Sequence, residues 1–331
     1  MSTTAYLFPG QGSQEVGMGR DLYERFPRAR ERFDRADELL GFALTDLMFG
    51  DGDHDDAEEA LKQTDVTQPA LYTHSLAVMA VLDARGLPAP DMTAGHSLGE
   101  YSALAAAGAL SFDDGLRVVR RRGELMAAVG NSGGTDGDGG SDERSGAMAA
   151  IIGMDDDALA AVCQDVTREG GGAEGHHVVQ PANFNAPGQV VISGDAEAVE
   201  AAMQLCEERG ARRAIALPVS GAFHSPLMQG ARDGLAEELS DLEIQAPRCP
   251  VYLNVTAEAA TEPKVIRAAL LEQLLSPVRW AASLRAMHEG GAERFIEVGA
   301  GRVLSGLARR TLGRDVALQQ AGTAEEVEAL A

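Results

Sequence analysis

The chain has 331 residues. That is long for one small core and close to the length expected of two domains of about 150 residues each. Hydrophobic residues make up 45% and charged residues 24%, as in ordinary globular proteins, so a disordered or collagen-like chain is excluded. Acidic residues outnumber basic residues by 51 to 28, and the net charge of −23 excludes nucleic acid and anionic membrane surfaces as expected partners.

The basic residues are almost all arginine. Lys62 and Lys264 are the two lysines, against 26 arginines. An acidic, lysine-poor surface is typical of adaptation to concentrated salt, where charge repulsion is screened. A GC-rich genome with acidic loops would produce the same composition, and measuring activity from low to molar KCl distinguishes the two interpretations.

The three cysteines, Cys163, Cys206 and Cys249, are far apart and form no CxxC or His/Cys cluster. They are typical of core thiols in a reducing compartment, and we predict no metal site. The first residues carry no basic region, and no window of eighteen apolar residues occurs. We therefore expect a cytoplasmic protein without a signal peptide or a membrane span.

The first predicted element is a buried strand over residues 5–8, which opens into a loop at Pro9. Residues 68–85 are apolar on all sides and predict a buried helix. A link or strand over 88–94 precedes Gly95-His96-Ser97-Leu98-Gly99, and the alanine-rich residues 100–110 predict a helix. A serine therefore lies at a strand-to-helix turn.

From residue 147 the pattern changes to a βαββαβ order, which predicts a small ferredoxin-like sheet with helices on one face. The predicted elements are strand 147–152, helix 155–168, strands 177–183 and 189–193, helix 195–209 and strand 212–218. We assign an inserted subdomain to 146–213. The remaining residues, 1–145 and 214–331, form an α/β domain with a mainly parallel sheet, and the acidic, glycine-rich segment 130–143 is predicted to be a flexible linker.

The later elements of the larger domain complete this α/β alternation. They are helix 226–239, strand 250–254, helices 265–275 and 280–288, strand 294–298, helix 302–312 and strand 315–319.

The motif Gly95 to Gly99 matches the GxSxG turn that exposes a nucleophilic serine. Alone it is a weak signal in a chain with 38 glycines, and a structural turn serine is the alternative. Because Ser97 begins a helix, the N–H of Leu98 would point toward a negative charge forming beside it.

A serine needs a base to lose its proton near neutral pH. Of the seven histidines, His224 lies in a turn between a strand and a helix, where catalytic side chains are often found, although a capping or core histidine is equally consistent with its position. His96 adjoins Ser97, and we expect it to point away.

Two further segments are candidates for substrate binding. The glycine-rich loop 8–14 fails the dinucleotide pattern because position 15 is Glu, but the N–H of Gln11 could be a second oxyanion donor, unless the loop is a plain tight turn. Arg120, Arg121 and Arg122 lie on one predicted helix. Most such arginines are solvated, but one that points into the site could bind a carboxylate through two hydrogen bonds.

Together these motifs resemble the malonyl-CoA:acyl carrier protein transacylases of fatty acid synthesis over nearly the whole chain. The motifs that carry the resemblance, in the order of that family, are Phe8-Pro9-Gly10-Gln11-Gly12-Ser13-Gln14, Thr67-Gln68-Pro69-Ala70-Leu71, Gly95-His96-Ser97-Leu98-Gly99-Glu100-Tyr101-Ser102, Arg122-Gly123 with Met126, Asn183-Phe184-Asn185-Ala186-Pro187-Gly188-Gln189, and Phe223-His224. The resemblance implies an α/β-hydrolase-like domain with a ferredoxin-like insert.

The resemblance also implies roles for individual residues. Ser97 would be the acyl-carrying nucleophile and His224 its general base and acid, with the backbone carbonyl of Gln273 orienting the imidazole. Arg122 matches the arginine that binds the malonyl carboxylate, and Phe223 is similar to the bulky aromatic residue of malonyl-selective members.

The implied reaction is ping-pong transfer of malonyl from malonyl-CoA to the phosphopantetheine thiol of acyl carrier protein. The coenzyme A thioester is the substrate, and no permanently bound cofactor is expected. Basic residues would have to attract the acidic carrier protein. Arg212 and Arg213 match such positions in the family, and Arg302, Arg309 and Arg310 are further candidates.

Three other interpretations remain at this point. A GxSxG serine with a histidine also serves esterases and thioesterases, although these need no arginine for a carboxylate. The chain could also be a discrete acyltransferase of a polyketide pathway, or a scaffold that keeps the fold without activity.

Overall fold

The computed structural model describes residues 3–51, 54–131, 145–169, 177–219, 221–314 and 316–330. The elements before the insert are β1 (Thr3–Phe8), α1 (Arg20–Arg25), α2 (Pro27–Leu40), α3 (Leu44–Phe49), α4 (His54–Lys62), α5 (Thr64–Ala84), β2 (Met92–Gly95), α6 (Gly99–Ala106) and α7 (Phe112–Asn131). The insert contains β3 (Gly146–Ile152), α8 (Asp156–Glu169), β4 (Val179–Ala186), β5 (Gln189–Asp195), α9 (Ala196–Glu208) and β6 (Arg213–Ala216).

The chain then returns to the larger domain. Its elements there are a 3₁₀ turn (Pro226–Met228), α10 (Gln229–Asp241), β7 (Val251–Tyr252), β8 (Ala259–Ala260), α11 (Pro263–Gln273), α12 (Trp280–Glu289), β9 (Ala292–Val298), α13 (Val303–Leu312), β10 (Ala317–Ala321) and α14 (Ala324–Ala329).

The larger domain is built on a sheet that, within the described residues, has six strands in the order β10-β9-β1-β2-β7-β8. Each neighbouring pair from β10 to β7 is parallel, and β8 pairs antiparallel with β7 at the edge. The carboxyl ends of β1, β2 and β7 therefore lie side by side, where open α/β sheets hold their ligands.

Helices cover both faces of this sheet, and β1 shows why. Tyr6 and Phe8 join the core beneath the helices of one face, whereas Ala5 and Leu7 join the core on the other face. Side chains alternate across a strand, so an apolar run of this kind requires burial on both sides.

The insert forms a second, antiparallel sheet in the order β4-β5-β3-β6, with its own core, which includes Ile151, Val190 and Cys206. This strand order confirms the predicted ferredoxin-like arrangement. The proposed domain boundary at 213 stays a prediction, and strand β6 runs beyond it to Ala216. Most of the predicted linker 130–143 lies outside the described residues, while 130 and 131 end α7.

Backbone hydrogen bonds attach the insert to the larger domain beside the carboxyl edge of the main sheet. Phe184 N donates to Val278 O over 2.9 Å, and Val278 N donates to Ala182 O over 2.8 Å. Because β4 is anchored at this point, residues of the insert can line a cavity over the main sheet.

Helix α5 is buried on nearly all sides and contains Pro69. Proline has no N–H, so the carbonyl of Asp65, four residues earlier, loses its helical partner. Arg120 Nη1 donates to that carbonyl over 2.6 Å. Arg120 therefore has a structural role in joining α7 to α5, while its neighbour Arg122 is available for another contact.

The close packing around Gly99, two residues after Ser97, leads to a first testable prediction. A Cβ built on Gly99 would lie 2.1 Å from Phe8 O, so we expect Gly99→Ala to lower the free energy of unfolding by about 2 kcal/mol or more. Thermal and urea unfolding midpoints measure the effect.

A matched control is Gly306→Ala in α13, where a Cβ would meet nothing within 4 Å. Alanine favours a helix interior, so this variant should gain about 0.5–1 kcal/mol. Equal unfolding midpoints for the two variants would contradict the steric explanation.

Candidate active site

Ser97 lies on a tight turn between β2 and α6, with a φ of 50°. A Cβ on Gly95 would lie 1.8 Å from Gly99 O, so the turn admits no side chain at either glycine of the motif. The positive φ is uncommon for a residue other than glycine and marks strain held by the surrounding structure. The GxSxG spacing thus has a steric cause.

The side chain of Asn254 supports this turn from the neighbouring strand end. Its Oδ1 accepts a hydrogen bond of 2.7 Å from Ser97 N, and its Nδ2 donates to Gly95 O over 2.7 Å. Asn254 is fully buried just beyond β7. One amide therefore bridges the backbone on both sides of the strained position.

His224 faces Ser97 from a turn before the 3₁₀ segment, and its own φ is 58°. Ser97 Oγ lies 2.8 Å from His224 Nε2, and His224 Nδ1 lies 2.8 Å from the backbone O of Gln273. A carbonyl can only accept, so Nδ1 carries the proton and Nε2 accepts from the serine hydroxyl. Gln180, from β4, holds the His224 carbonyl over 2.8 Å.

The imidazole of His224 is neutral in this environment. Burial, and after it the positive charge of Arg122, lower the pKa of His224 to about 3. A neutral imidazole has a free lone pair at Nε2, so His224 can accept the serine proton without first losing its own.

Arg122 projects from α7 into the same place and is 1% exposed. Its Nη2 lies 3.1 Å from Ser97 Oγ and 2.9 Å from the side-chain Oε1 of Gln273, and its Nη1 lies 2.9 Å from Gln68 Oε1. Its guanidinium carbon lies 5.7 Å from the centre of the Tyr101 ring. All these partners are neutral, and among the described residues the buried Nε has none.

These groups line a cavity of about 120 Å³, well below the roughly 300–1,000 Å³ of sites for drug-sized ligands. Gln11 and Leu98 line it too, and within the described part of the chain neither backbone N–H donates a hydrogen bond. Phe223, Met126 and Met148 supply apolar walls. The cavity therefore suits a short acyl group with a polar end.

We expected the His96 side chain to point away from Ser97, and its ring contacts lie on the insert and on α12. His96 lines the same cavity as Ser97, and its Nε2 lies 2.7 Å from Asn185 Oδ1. Its ring also packs edge-on against Trp280, 5.5 Å between ring centres. Asn185 belongs to the insert, so this contact joins the two sheets beside the nucleophile.

The predicted carrier-protein residues lie elsewhere. Arg212, Arg213, Arg302, Arg309 and Arg310 are exposed, and none of them lines the cavity. In the part of the chain that the structure describes, no cluster of His, Cys, Asp and Glu could hold a metal ion, and no helix is long and apolar enough to cross a membrane.

Three buried polar residues contact the site without a role assigned from sequence. Gln68 and Glu100 lie within motifs of the family resemblance, and Asn254 lies at the end of a predicted strand. A polar residue at the carboxyl end of a parallel strand is a usable signal, but the sequence does not identify its partners.

A hydroxyl that a neutral imidazole can deprotonate lies beside a buried cation, in a cavity that Gln11 and Leu98 also line with backbone N–H groups unpaired among the described residues. Such a group of side chains can form a covalent acyl intermediate and stabilise the oxyanion that precedes it.

Comparison with known proteins agrees with this chemistry. The model of the acyl transferase domain matches residues 5–327. The chain therefore belongs to the acyl transferase domain family, and it is an acyltransferase.

Its relatives in this family have more specific names. A malonyl CoA-acyl carrier protein transacylase of Bacillus subtilis is 49% identical over 310 residues, which cover 94% of this chain and 90% of the relative. An acyl carrier protein S-malonyltransferase structure from Vibrio cholerae has a TM-score of 0.89 and 43% identity, with 100% of both chains covered. A structure of a type II PKS acyl-carrier protein in complex with its malonyl-transacylase matches with a TM-score of 0.89 and 38% identity over 99% of this chain and 98% of that one.

The low pKa of His224 can be measured directly. In histidine-labelled protein we expect the His224 ring to keep the nitrogen shifts of a neutral imidazole from pH 8 down to pH 5, because burial disfavours its charged form. His224→Gln identifies the signal by its loss. Half-protonation near pH 6.5, the value of an ordinary histidine, would contradict the prediction.

Proposed function

We propose that this protein transfers a malonyl group from malonyl-CoA to the phosphopantetheine thiol of acyl carrier protein, supplying fatty acid synthesis. The observation that carries the proposal is the buried guanidinium of Arg122, whose Nη2 lies 3.1 Å from Ser97 Oγ. A short acyl group attached to that oxygen and ending in a carboxylate would reach the guanidinium. The names of the relatives, malonyl CoA-acyl carrier protein transacylases, support the same substrates.

In the first half-reaction His224 Nε2 takes the hydroxyl proton as Ser97 Oγ attacks the thioester carbonyl. The N–H groups of Gln11 and Leu98 stabilise the oxyanion, and the helix that begins at Gly99 adds its positive end. His224 then returns the proton to the coenzyme A sulfur, which leaves malonyl-Ser97 and free coenzyme A. The Gln273 carbonyl stabilises the imidazolium that forms between these steps.

In the second half-reaction the carrier-protein thiol takes the place of coenzyme A. His224 accepts the thiol proton, the sulfur attacks the malonyl ester, and the proton passes to Ser97 Oγ as it leaves. This proton transfer regenerates the free hydroxyl, and the malonyl thioester of the carrier protein is then released. The two substrates thus use one base in turn, which gives ping-pong kinetics.

Two features favour transfer over the thioesterase or esterase alternative. The orienting partner of His224 is a backbone carbonyl, whereas such hydrolases normally place a carboxylate there. The carboxylate-binding position at Arg122 is buried, and a site that excludes water protects an acyl-serine from hydrolysis.

A patch of exposed arginines supports the proposed docking of an acidic carrier protein. The backbone N–H of Gly153 donates to Gly188 O over 2.7 Å, and a Cβ built on Gly153 would touch Arg212. Arg310 donates to the side chain of Gln189. Arg212 and the side chain of Arg310 therefore both lie near the turn between β4 and β5, and their positive charge would steer an acidic carrier protein there despite the net charge of −23.

The other basic candidates contribute unequally to this patch. Arg213 begins β6 beside Arg212 and is exposed, as is Ile215, which would add an apolar contact. Arg302 pairs with Glu326 over 3.0 Å, which compensates its charge. Arg213 is thus a stronger candidate than Arg302.

A carrier protein of polyketide synthesis is a second candidate partner. The matched malonyl-transacylase in complex with a type II PKS acyl-carrier protein favours it. Rates with carrier proteins of the two pathways distinguish them.

A reducing, cytoplasmic location is supported by the unpaired buried thiols of Cys163 and Cys206. Adaptation to concentrated salt stays a prediction.

The nucleophile is tested by intact-mass spectrometry after mixing with malonyl-CoA. We expect a single malonyl adduct on the native chain and none on Ser97→Ala, because the variant lacks the attacking oxygen. Ser225→Ala is a control, since this serine donates to Ala222 O and caps the 3₁₀ turn. An adduct at full occupancy on Ser97→Ala would point to a different nucleophile.

Arg122→Ala tests the carboxylate contact. Loss of the buried cation should raise the barrier for malonyl transfer by about 2–5 kcal/mol and leave acetyl transfer unchanged or faster, because acetyl has no carboxylate. Values of kcat/KM for malonyl-CoA and acetyl-CoA measure both effects. Arg120→Ala, which removes the structural contact to Asp65, is the matched control. Equal losses for the two acyl groups in Arg122→Ala would remove Arg122 from this role.

A further inference from the structure

The side chain of Gln273 contacts more of the site than its backbone carbonyl does. Its Oε1 accepts from Arg122 Nη2 over 2.9 Å, and its Nε2 donates to Ser97 O and to Glu100 Oε2, each over 3.1 Å. Gln273 is fully buried. One amide therefore lies between the guanidinium and the nucleophile's backbone.

These contacts require one of the two orientations of the amide. Rotation by 180° would turn the NH₂ group toward the guanidinium, which has donors only, and the oxygen toward Ser97 O and Glu100 Oε2. Such a flip would lose the contact that holds Arg122 Nη2 and leave buried acceptors facing one another. The position of Arg122 thus depends on what selects the amide orientation.

Glu100 is the acceptor on the other side of that amide. It is fully buried at the second residue of α6, and its Oε2 also accepts from the backbone N–H of Asn254 over 2.8 Å. Asn254 in turn bridges Ser97 N and Gly95 O. The same carboxyl oxygen therefore contacts the side-chain amide of Gln273 and the backbone of Asn254, the residue whose side chain supports the nucleophile's turn.

We propose that Glu100 is a positioning residue for malonyl selection: its carboxyl oxygen fixes the Gln273 amide, which holds the guanidinium of Arg122 beside Ser97. This proposal rests on the proposed function, because it assigns to Arg122 the carboxylate of the acyl group.

The proposal requires an acceptor at Oε2 and does not require a negative charge there. Burial raises the pKa of Glu100 to about 7, so the neutral carboxyl group is accessible near neutral pH, and its carbonyl oxygen still accepts. Among the described residues Oε1 has no hydrogen-bond partner. A glutamine at this position can therefore supply the same acceptor with its own oxygen.

The test compares two variants, Glu100→Met and Glu100→Gln. Glu100→Met keeps the length of the side chain and removes the strong hydrogen-bond acceptor, whereas Glu100→Gln keeps an acceptor oxygen. The readout is the ratio of kcat/KM for malonyl-CoA to that for acetyl-CoA. We expect the ratio to fall about tenfold or more in Glu100→Met, because the guanidinium loses its fixed partner, and to recover in Glu100→Gln.

Glu297→Met is the matched control for loss of a buried carboxylate. Glu297 is 1% exposed, does not line the cavity, and accepts from the backbone N–H groups of Leu304 and Ser305 at the start of α13. Its loss should lower the unfolding temperature and leave the malonyl-to-acetyl ratio unchanged. The control thus separates a general loss of stability from loss of selection.

Gln273→Met provides a second, independent measurement because it keeps the backbone carbonyl that orients His224. We expect it to lower the ratio as Glu100→Met does, and the double variant to lose no more than the larger single loss, since both act through one amide. Additive losses, or equal losses for both acyl groups in Glu100→Met, would overturn the proposal. A soluble, folded Glu100→Met with the native ratio would overturn it as well.

Failure of the proposed function has a different signature. Native protein that forms no malonyl adduct, or that shows no preference for malonyl over acetyl, overturns the function and the role of Glu100 with it. Native protein with a malonyl preference that Glu100→Met retains overturns the inference and leaves the function standing.

Discussion

The site depends on one buried positive charge that is held by neutral oxygens. A guanidinium removed from water is unfavourable unless hydrogen bonds and charge compensate it. The direct partners of Arg122 are two glutamine carbonyls and the serine hydroxyl. Burial lowers the pKa of the guanidinium, and the nearby Glu100 carboxyl group acts in the opposite direction. A bound carboxylate would supply the missing countercharge, so a malonyl group gains attraction that an acetyl group lacks. The same positive charge lowers the pKa of His224 and so helps to keep its imidazole neutral. Arg122 therefore affects both the choice of acyl group and the basicity of the histidine.

The fold delivers these groups from distant parts of the chain. The carboxyl ends of β1, β2 and β7 are adjacent in a parallel sheet, so Gln11, Ser97 and Asn254 meet at one edge. Arg122 and Gln273 come from helices on that side. The insert closes the arrangement, because β4 is bonded to the backbone around Val278 and supplies side chains that contact His96 and His224. A single misplaced layer would separate the base from the nucleophile.

Much of the architecture could be predicted from local pattern, and the failures have physical causes. The apolar strand at residues 5–8, the buried helix α5 and the βαββαβ order all follow from periodicity and are confirmed. The helices between residues 20 and 62 were not predicted, because they are short or rich in charge and their apolar residues become visible as a stripe only against α5. Pro69 inside α5 is tolerated because Arg120, 51 positions later, replaces the missing partner, and no local rule contains that contact.

The sequence by itself determined which chemistry is available: a serine with a glycine two positions away on each side, a histidine between a strand and a helix, and an arginine on an amphipathic helix. These are local properties, set by sterics and by the groups that each side chain carries. Tertiary structure alone decided that Asn254 bridges the strained turn, that the side chain of Gln273 contacts Arg122, and that Glu100 contacts that side chain. Hydrogen bonds between residues more than a hundred positions apart depend on the packing of whole elements, and their partners are therefore defined only once the sheet and its helices are assembled.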